Sequence, residues 1–179
     1  CTGSLVNNTA RDLAPYVLSA VHCVEDVVYS NYYNYFVFHF NYDSAGCTTG
    51  SVQPTSKTMT GASLKALGSS SDFLLLRLNQ NVPTNYNAYW NAWNNTTNAS
   101  TSGVCIHHPS GDIKKISTYN TALQSTNFGY GETHWKAKWI QTQTNYGITE
   151  GESSGSPLFN ASSQIVGTLT GGTSSCYAA

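Results

Sequence analysis

Charged residues are scarce in this chain of 179 amino acids, and their scarcity narrows the kinds of partner it can bind. Lysine and arginine together number 8 and aspartate and glutamate 9, so only 9% of the residues are charged and the formal net charge is −1. No basic run extends beyond Lys114-Lys115. Electrostatic capture of nucleic acid or of an anionic membrane surface needs clustered basic side chains. We therefore expect neither nucleic acid nor a membrane as a partner.

The chain also lacks a long apolar run, a signal peptide and an initiator methionine. No apolar stretch approaches the roughly 20 residues that a membrane-spanning helix needs. The sequence opens on Cys1, inside a strand-like segment, and stops at SSCYAA. This pattern predicts a piece of a longer chain that is truncated at both ends, so the absence of targeting signals carries little weight.

The cysteines do not form any C-x-x-C pair, which argues against a zinc or redox motif. Their wide spacing in a chain of low charge favours an oxidising compartment and hence a secreted protein. An odd number fits a piece whose missing parts carry partners, and the alternative is a set of buried free thiols. The five positions are Cys1, Cys23, Cys47, Cys105 and Cys176.

Helix signals are scarce, whereas short runs rich in β-branched and aromatic residues are frequent. YVLSAVHC, DFLLLRL and IVGTLTGG are examples, separated by Gly, Asn and Ser clusters. Many short strands with turn signals between them predict an antiparallel sandwich or a pair of barrels. The polar stretch 79–103 is the natural linker, and we place a lobe boundary there, between residues 1–90 and 91–179.

The stretch TEGESSGSPLF, residues 149–159, holds Ser154 on a tight turn. Gly and Ser supply the turn, Pro157 stands at its exit and a strand follows. An ordinary turn before a strand would explain these features. The alternative is that Ser154 is a nucleophile. A nucleophilic serine needs a base, a carboxylate that orients the base, and backbone N–H donors for the oxyanion.

His22 is the strongest candidate for the base. It ends an apolar segment directly before Cys23, and a Cys1–Cys23 bridge would fix the backbone beside it. Asp72 is the candidate carboxylate because it precedes a nearly continuous apolar run, where a carboxylate is costly unless it is hydrogen-bonded or paired. A turn-capping role for Asp72 is the alternative. The other histidines stand in strands or at strand ends, where a structural role is more common, and are His39, His107, His108 and His134.

Three segments, in this order, resemble the signature boxes of chymotrypsin-like serine proteases. YVLSAVHC resembles the segment that ends in their T-A-x-H-C box, SDFLLLRL their D-I-x-L-L-x-L strand, and GESSGSP their G-D-S-G-G-P turn. The order His, Asp, Ser is that of chymotrypsin. Within this superfamily, CTGSLVNNTA, IHHP, and SSGSP followed by GG-x-SSC are most similar to the bacterial lysyl endopeptidases. The resemblance covers nearly the whole chain in one register.

The resemblance implies a role for each box. His22 would be the general base, Asp72 the residue that orients it and Ser154 the nucleophile. The backbone N–H groups of Glu152 and Ser154 would form the oxyanion hole.

The strand IVGTLTGG would border the substrate cleft and offer backbone groups to an extended peptide. The resemblance also implies a Cys1–Cys23 disulfide, partners outside this chain for Cys47 and Cys176, and neither a metal nor a cofactor. The residues expected to contact substrate are Thr149, Leu169, Thr170, Gly171 and Gly172.

Several positions depart from the family pattern. Glu152 stands where the family has glycine. Thr170 replaces the family's histidine beside the double glycine, and Phe128 replaces the tryptophan that accompanies it. The specificity aspartate of the lysyl enzymes would lie past Ala179. The histidine that glutamyl-specific relatives use would stand at Leu169, and its absence argues against cleavage after glutamate.

We therefore predict an all-β fold of two antiparallel six-stranded β-barrels with the active site between them. The predicted function is that of a secreted, monomeric serine endopeptidase that hydrolyses polypeptides through an acyl-enzyme. Cleavage after lysine is implied by the resemblance alone. The alternative is a catalytically impaired protease homologue that acts as a binding module, and Glu152 keeps that alternative open. A plain β-sandwich that binds sugars through Tyr and Trp would not explain three boxes in this order.

Overall fold

The regular elements of this protein are β-strands and short 3-10 helices, so the predicted all-β class is confirmed. A computed structural model describes residues 1–27, 31–46, 54–129 and 131–175. Within these ranges no helix is long and apolar enough to cross a membrane. The 3-10 helices are Val21–Val27, Asn31–Tyr35, Thr84–Tyr86 and Pro109–Gly111. The strands are β1 (Ser4–Val6), β2 (Tyr16–Ala20), β3 (Val37–Phe40), β4 (Lys57–Thr60), β5 (Ala62–Gly68), β6 (Phe73–Leu78), β7 (Ala92–Trp93), β8 (Gly103–His107), β9 (Lys115–Tyr119), β10 (Gln124–Thr126), β11 (His134–Lys136), β12 (Gln141–Thr142), β13 (Asn145–Tyr146), β14 (Pro157–Asn160) and β15 (Gln164–Thr168).

The N-terminal half is built around a four-stranded antiparallel sheet in the order β1-β2-β6-β5, accompanied by the β3–β4 ribbon. Strand β6 lies inside this sheet, between β2 and β5. Its alternate leucines, Leu74, Leu76 and Leu78, are all buried on one face. Alternation of this kind is expected for a strand with one face on a hydrophobic core. The β2–β6 register pairs Ala20 with Phe73, so the end of β2 meets the start of β6.

The C-terminal half contains a five-stranded sheet in the order β7-β15-β14-β8-β9, and the ribbons β10–β11 and β12–β13. Its strands pair antiparallel, apart from the parallel β7–β15 pair. A second core cluster includes Tyr119 and Leu158. A third cluster joins Val6 of β1 to Phe159 and Ile165 of the second sheet, so the two halves share apolar contacts.

Residues 91–94 make backbone hydrogen bonds to both halves of the protein. On one side the N–H of Asn91 donates to the carbonyl of Leu5 at 2.9 Å, and the N–H of Asn7 donates to the carbonyl of Asn91 at 2.9 Å. On the other side the N–H of Asn94 donates to the carbonyl of Ile165 at 2.8 Å. The stretch predicted as a linker is therefore hydrogen-bonded in its central part, while the lobe boundary near residue 90 stays a prediction.

The predicted Cys1–Cys23 disulfide is present, with Cα atoms 6.2 Å apart. A bridge that closes a loop of this length contributes on the order of 3 kcal/mol through the unfolded chain. Cys105 is a free, buried thiol whose pKa is raised to about 12 by desolvation. Cys47 and Cys176 lie outside the described residues.

Candidate active site

The structure brings His22 and Asp72 into direct contact. His22 lies on the 3-10 helix that follows β2, and Asp72 directly precedes β6, so the β2–β6 pairing places them together. Nδ1 of His22 lies 2.6 Å from Oδ2 of Asp72. The backbone N–H of His22 also donates to Oδ1 of Asp72 at 2.9 Å. Both carboxylate oxygens of the buried Asp72 thus accept hydrogen bonds from the same residue, His22.

Strand β2 ends earlier than the apolar run in the sequence suggests, and Asp72 is the reason. The N–H of Val21 donates to the carbonyl of Asp72 at 3.0 Å, and the next N–H goes to its side chain. These two hydrogen bonds to Asp72 take the place of further β2–β6 pairing, and the backbone continues as the 3-10 helix that begins at Val21. Asp72 itself has a φ of +54°, a left-handed conformation that Asp and Asn tolerate better than most residues.

Ser154 lies on a turn that is packed against the residue following His22. Its carbonyl oxygen accepts the N–H of Thr2 at 2.8 Å and is 3.8 Å from Sγ of Cys23. The next residue, Gly155, has a φ of +82°, and a Cβ there would lie 2.2 Å from Oγ of Ser19. The glycine after Ser154 is therefore required by close packing as well as by backbone conformation.

Glu152 adopts the backbone conformation that glycine would favour at its position. Its φ is +68°, in the left-handed region. Among the described residues, none accepts a hydrogen bond from the backbone N–H of Glu152 or of Ser154. The side chain turns towards the backbone nitrogen of Cys1, with which its Oε2 makes a short contact.

The predicted cleft residues border one open cleft. Thr149 and residues 169–172 line it together with Phe128 and His134. Leu169 is tied to the turn of residues 150–156, because the N–H of Gly155 donates to its carbonyl at 2.7 Å and its own N–H donates to the carbonyl of Ser156 at 2.9 Å. Thr149 is buried, with Oγ1 accepting from the indole N–H of Trp139 at 3.1 Å. Its hydroxyl oxygen is thus already engaged within the protein.

Two histidines near the site were not predicted to take part in it. The ring of His134 lies 5.6 Å from that of Phe128, the residue that stands where the family has tryptophan. His107 is fully buried and contacts the turn of residues 150–156 through Ser153. Its Nδ1 is 2.9 Å from Oγ of Ser153 and its Nε2 is 2.8 Å from Oγ of Ser117. Desolvation lowers the pKa of His107 to about 4, so the ring is neutral at neutral pH.

The described residues contain no group of three or more His, Cys, Asp or Glu side chains that could hold a metal ion.

Solved protease structures share the fold of this chain. The Rv3671c protease in its inactive form matches with a TM-score of 0.50 at 14% identity, over 99% of this chain and 73% of the other. A Glu endopeptidase in complex with MPD matches with a TM-score of 0.50 at 18% identity, over 97% of this chain and 74% of the other. At these identities the likeness concerns the fold alone.

Sequence comparison gives the family. A lysyl endopeptidase of Pseudomonas aeruginosa is 30% identical over 183 residues, covering 99% of this chain and 38% of the relative. The chain therefore spans well under half the length of that relative. The family model of the lysyl endopeptidase C-terminal domain matches residues 1–179. As the motifs predicted, the chain belongs to the lysyl endopeptidase C-terminal domain family.

Proposed function

We propose that this protein is a serine endopeptidase in which His22, Asp72 and Ser154 form the catalytic triad. The observation that carries the proposal is the two-point contact between His22 and Asp72, next to a turn that presents Ser154. Family membership supports it, because the related Pseudomonas aeruginosa protein is named a lysyl endopeptidase.

Asp72 sets the tautomer of the base. A carboxylate only accepts hydrogen bonds, so the 2.6 Å contact places the ring proton of His22 on Nδ1. Nε2 is then unprotonated and can take the hydroxyl proton of Ser154 as Oγ attacks the scissile carbonyl carbon. The imidazolium that forms is stabilised by Asp72 and returns the proton to the leaving amine. Water then hydrolyses the acyl-enzyme by the same steps.

The oxyanion of the tetrahedral intermediate is bound by the N–H groups of Glu152 and Ser154. Donors of this kind act where charge develops, and loss of one costs roughly 10²–10³ in turnover. The left-handed φ of Glu152 supports its role, since glycine is favoured where a turn must direct an N–H at the substrate.

The substrate is a polypeptide bound in extended form along Leu169, Thr170, Gly171 and Gly172, with Thr149 at the pocket wall. We propose cleavage after lysine, which the family name supports. The protein works as a secreted monomer, without metal or cofactor. Residues 1–90 and 91–179 form two barrel lobes built on the four-stranded and the five-stranded sheet, with the catalytic groups between them.

A peptide panel tests this function. Purified protein is incubated with otherwise identical peptides that contain a single Lys, Arg or Glu, and the products are identified by mass spectrometry. Cleavage after Lys is expected. Cleavage only after another residue would reject lysine specificity and retain the endopeptidase. If no peptide is cut and no serine-directed phosphonate attaches to Ser154, the protein is a binding module.

Glu152 is expected to slow the reaction through its charge. Its exposed carboxylate belongs to the residue that supplies one of the proposed oxyanion donors, so its negative charge opposes the charge that develops on the oxyanion. We expect Glu152→Gln to raise kcat about fivefold, equivalent to on the order of 1 kcal/mol of barrier. Glu152→Gly should gain at least as much, since it also relieves the left-handed conformation. The kcat of both variants is measured by steady-state kinetics with a lysyl ester as substrate.

Glu132→Gln, which also removes an exposed carboxylate, is the control and should leave kcat unchanged. If neither substitution at Glu152 changes kcat by more than about twofold, the carboxylate does not affect the transition state.

A further inference from the structure

The segment HHPSG (residues 107–111) contacts the turn that carries Ser154. We call this turn, residues 150–156, the nucleophile turn. One contact is made by the buried ring of His107, whose Nδ1 is 2.9 Å from Oγ of Ser153. Ser153 is fully buried and stands between Glu152 and Ser154, the two residues whose N–H groups are the proposed oxyanion donors. The side chain of Ser153 therefore anchors the turn midway between those donors.

A second contact comes from the backbone. The N–H of Ser110 donates to the carbonyl of Gly151 at 2.7 Å. Ser110 has a φ of +52°, a left-handed conformation for a non-glycine residue. In a trans peptide the C=O and the following N–H point in opposite directions. Holding the carbonyl of Gly151 therefore fixes the direction of the N–H of Glu152.

The other donor is fixed in the same way. The carbonyl of Ser153 accepts from the N–H of Ser156 at 3.1 Å and from its Oγ at 2.5 Å. Because that peptide is also planar, the N–H of Ser154 is directed to the opposite side. The hydroxyl of Ser153 and the carbonyl of Ser153 are thus both held, one by His107 and the other by Ser156.

The peptide between the two donors is held through Thr2. Oγ1 of Thr2 donates to the carbonyl of Glu152 at 3.1 Å and accepts the N–H of His108 at 3.3 Å. Three consecutive carbonyls of the turn, those of residues 151–153, are therefore hydrogen-bonded. Two of these three carbonyls, those of Gly151 and Glu152, connect the turn to the segment 107–111, the first directly and the second through Thr2.

We propose that the segment 107–111 is the positioning element of the oxyanion hole, in which His107 holds Ser153 through its hydroxyl and Ser110 holds the carbonyl of Gly151. This inference rests on the proposed endopeptidase activity. His107 touches neither substrate nor the reacting atoms and is a positioning residue.

The surroundings of His107 suit a fixed, neutral ring. Each ring nitrogen faces a serine hydroxyl, which can donate or accept, so either neutral tautomer satisfies both nitrogens. Ser153 Oγ also lies 3.3 Å from the backbone N–H of Glu150, which donates to it. The ring is therefore held at both ends, by β9 through Ser117 and by the nucleophile turn through Ser153.

Two substitutions of His107 separate its two hydrogen bonds. The amide of Asn reaches the position of Nδ1, whereas that of Gln reaches the position of Nε2. His107→Asn should keep the bond to Ser153 and retain kcat within about threefold. His107→Gln should lose that bond and lower kcat about 10- to 100-fold with KM within about twofold, less than the full loss of an oxyanion donor. Rates are expressed per active site, counted by a phosphonate probe taken to completion.

A second pair of variants keeps the test valid if changes at His107 prevent folding. Ser153 and Ser117 are both fully buried and each bonds one ring nitrogen. Ser153→Ala and Ser117→Ala should lower the melting temperature by similar amounts. Only Ser153→Ala should lower kcat per active site by about tenfold or more, with Ser117→Ala staying within about threefold.

The outcomes separate this inference from the proposed function. If the unaltered protein hydrolyses peptides and Ser153→Ala and His107→Gln both match its kcat per active site, the segment positions nothing and the endopeptidase assignment stands. An unaltered protein that neither hydrolyses peptides nor reacts with the probe overturns both, because no oxyanion is then formed.

Discussion

Replacing Ser154 with alanine is expected to abolish acyl-enzyme formation and to lower kcat by about 10⁶-fold. Without Oγ there is no nucleophile for His22 to activate, and any remaining rate comes from substrate binding and the oxyanion donors. Ser154 is only partly buried, so loss of its hydroxyl should not disturb the fold. Hydrolysis of a lysyl peptide ester and labelling by a fluorophosphonate, located by peptide mapping, measure the effect.

The matched control is Ser162→Ala. Ser162 is an exposed serine of the β14–β15 turn, whose backbone N–H bonds Asn160. This variant should be labelled and should turn over as the unaltered protein does. Ser154→Ala protein that keeps its activity, or a label found on another serine, would show that the nucleophile lies elsewhere.

Replacing Asp72 with asparagine is expected to lower kcat by about 10⁴-fold at neutral pH. Asp72 accepts two hydrogen bonds from His22, one from the backbone N–H and one from the ring. An amide has only one acceptor oxygen. Because the backbone N–H cannot change its polarity, that oxygen faces the backbone and the NH₂ group faces the ring. Nδ1 must then accept, so the proton moves to Nε2 and the base cannot take the proton of Ser154.

Asparagine tolerates the left-handed conformation of residue 72, so the variant should fold normally. Asp43→Asn is the control, since Asp43 is exposed and pairs with Lys114 at the surface. It should leave kcat unchanged. A loss of less than about tenfold in Asp72→Asn would mean that the tautomer of His22 is set by another group.

The all-β class could be predicted because local signals specify it: turn residues separate short apolar runs, one of which forms strand β6 with its alternate leucines buried. The Cys1–Cys23 bridge and the contact between His22 and Asp72 were predicted from the family resemblance. The β2–β6 pairing accounts for that contact, since paired strand ends bring their flanking residues together.

The contacts of His107 could be predicted from the sequence only in part. The period of two along β8 buries Cys105 and His107 on the same face, and that alternation could have separated His107 from its neighbour His108. The hydrogen-bond partners of His107 could not be predicted from the sequence, because Ser153 lies 46 residues further along the chain and Ser117 belongs to another strand. The parallel β7–β15 pair could not be predicted from the sequence either, since it joins a two-residue strand to a strand that lies more than 70 residues further along the chain.

The hydrogen bonds on both sides of residues 91–94 limit how the two halves can move. Asn91 is held by Leu5 and Asn7, and Asn94 by Ile165, so swinging the halves apart would break backbone bonds at both ends of this segment. A hinge absorbs motion in a few unconstrained residues, and residues 91–94 do not offer that freedom. For the proposed endopeptidase we therefore expect the cleft to keep its width when a peptide enters, so that discrimination between peptides depends on the fit of their side chains to preformed walls and not on domain closure.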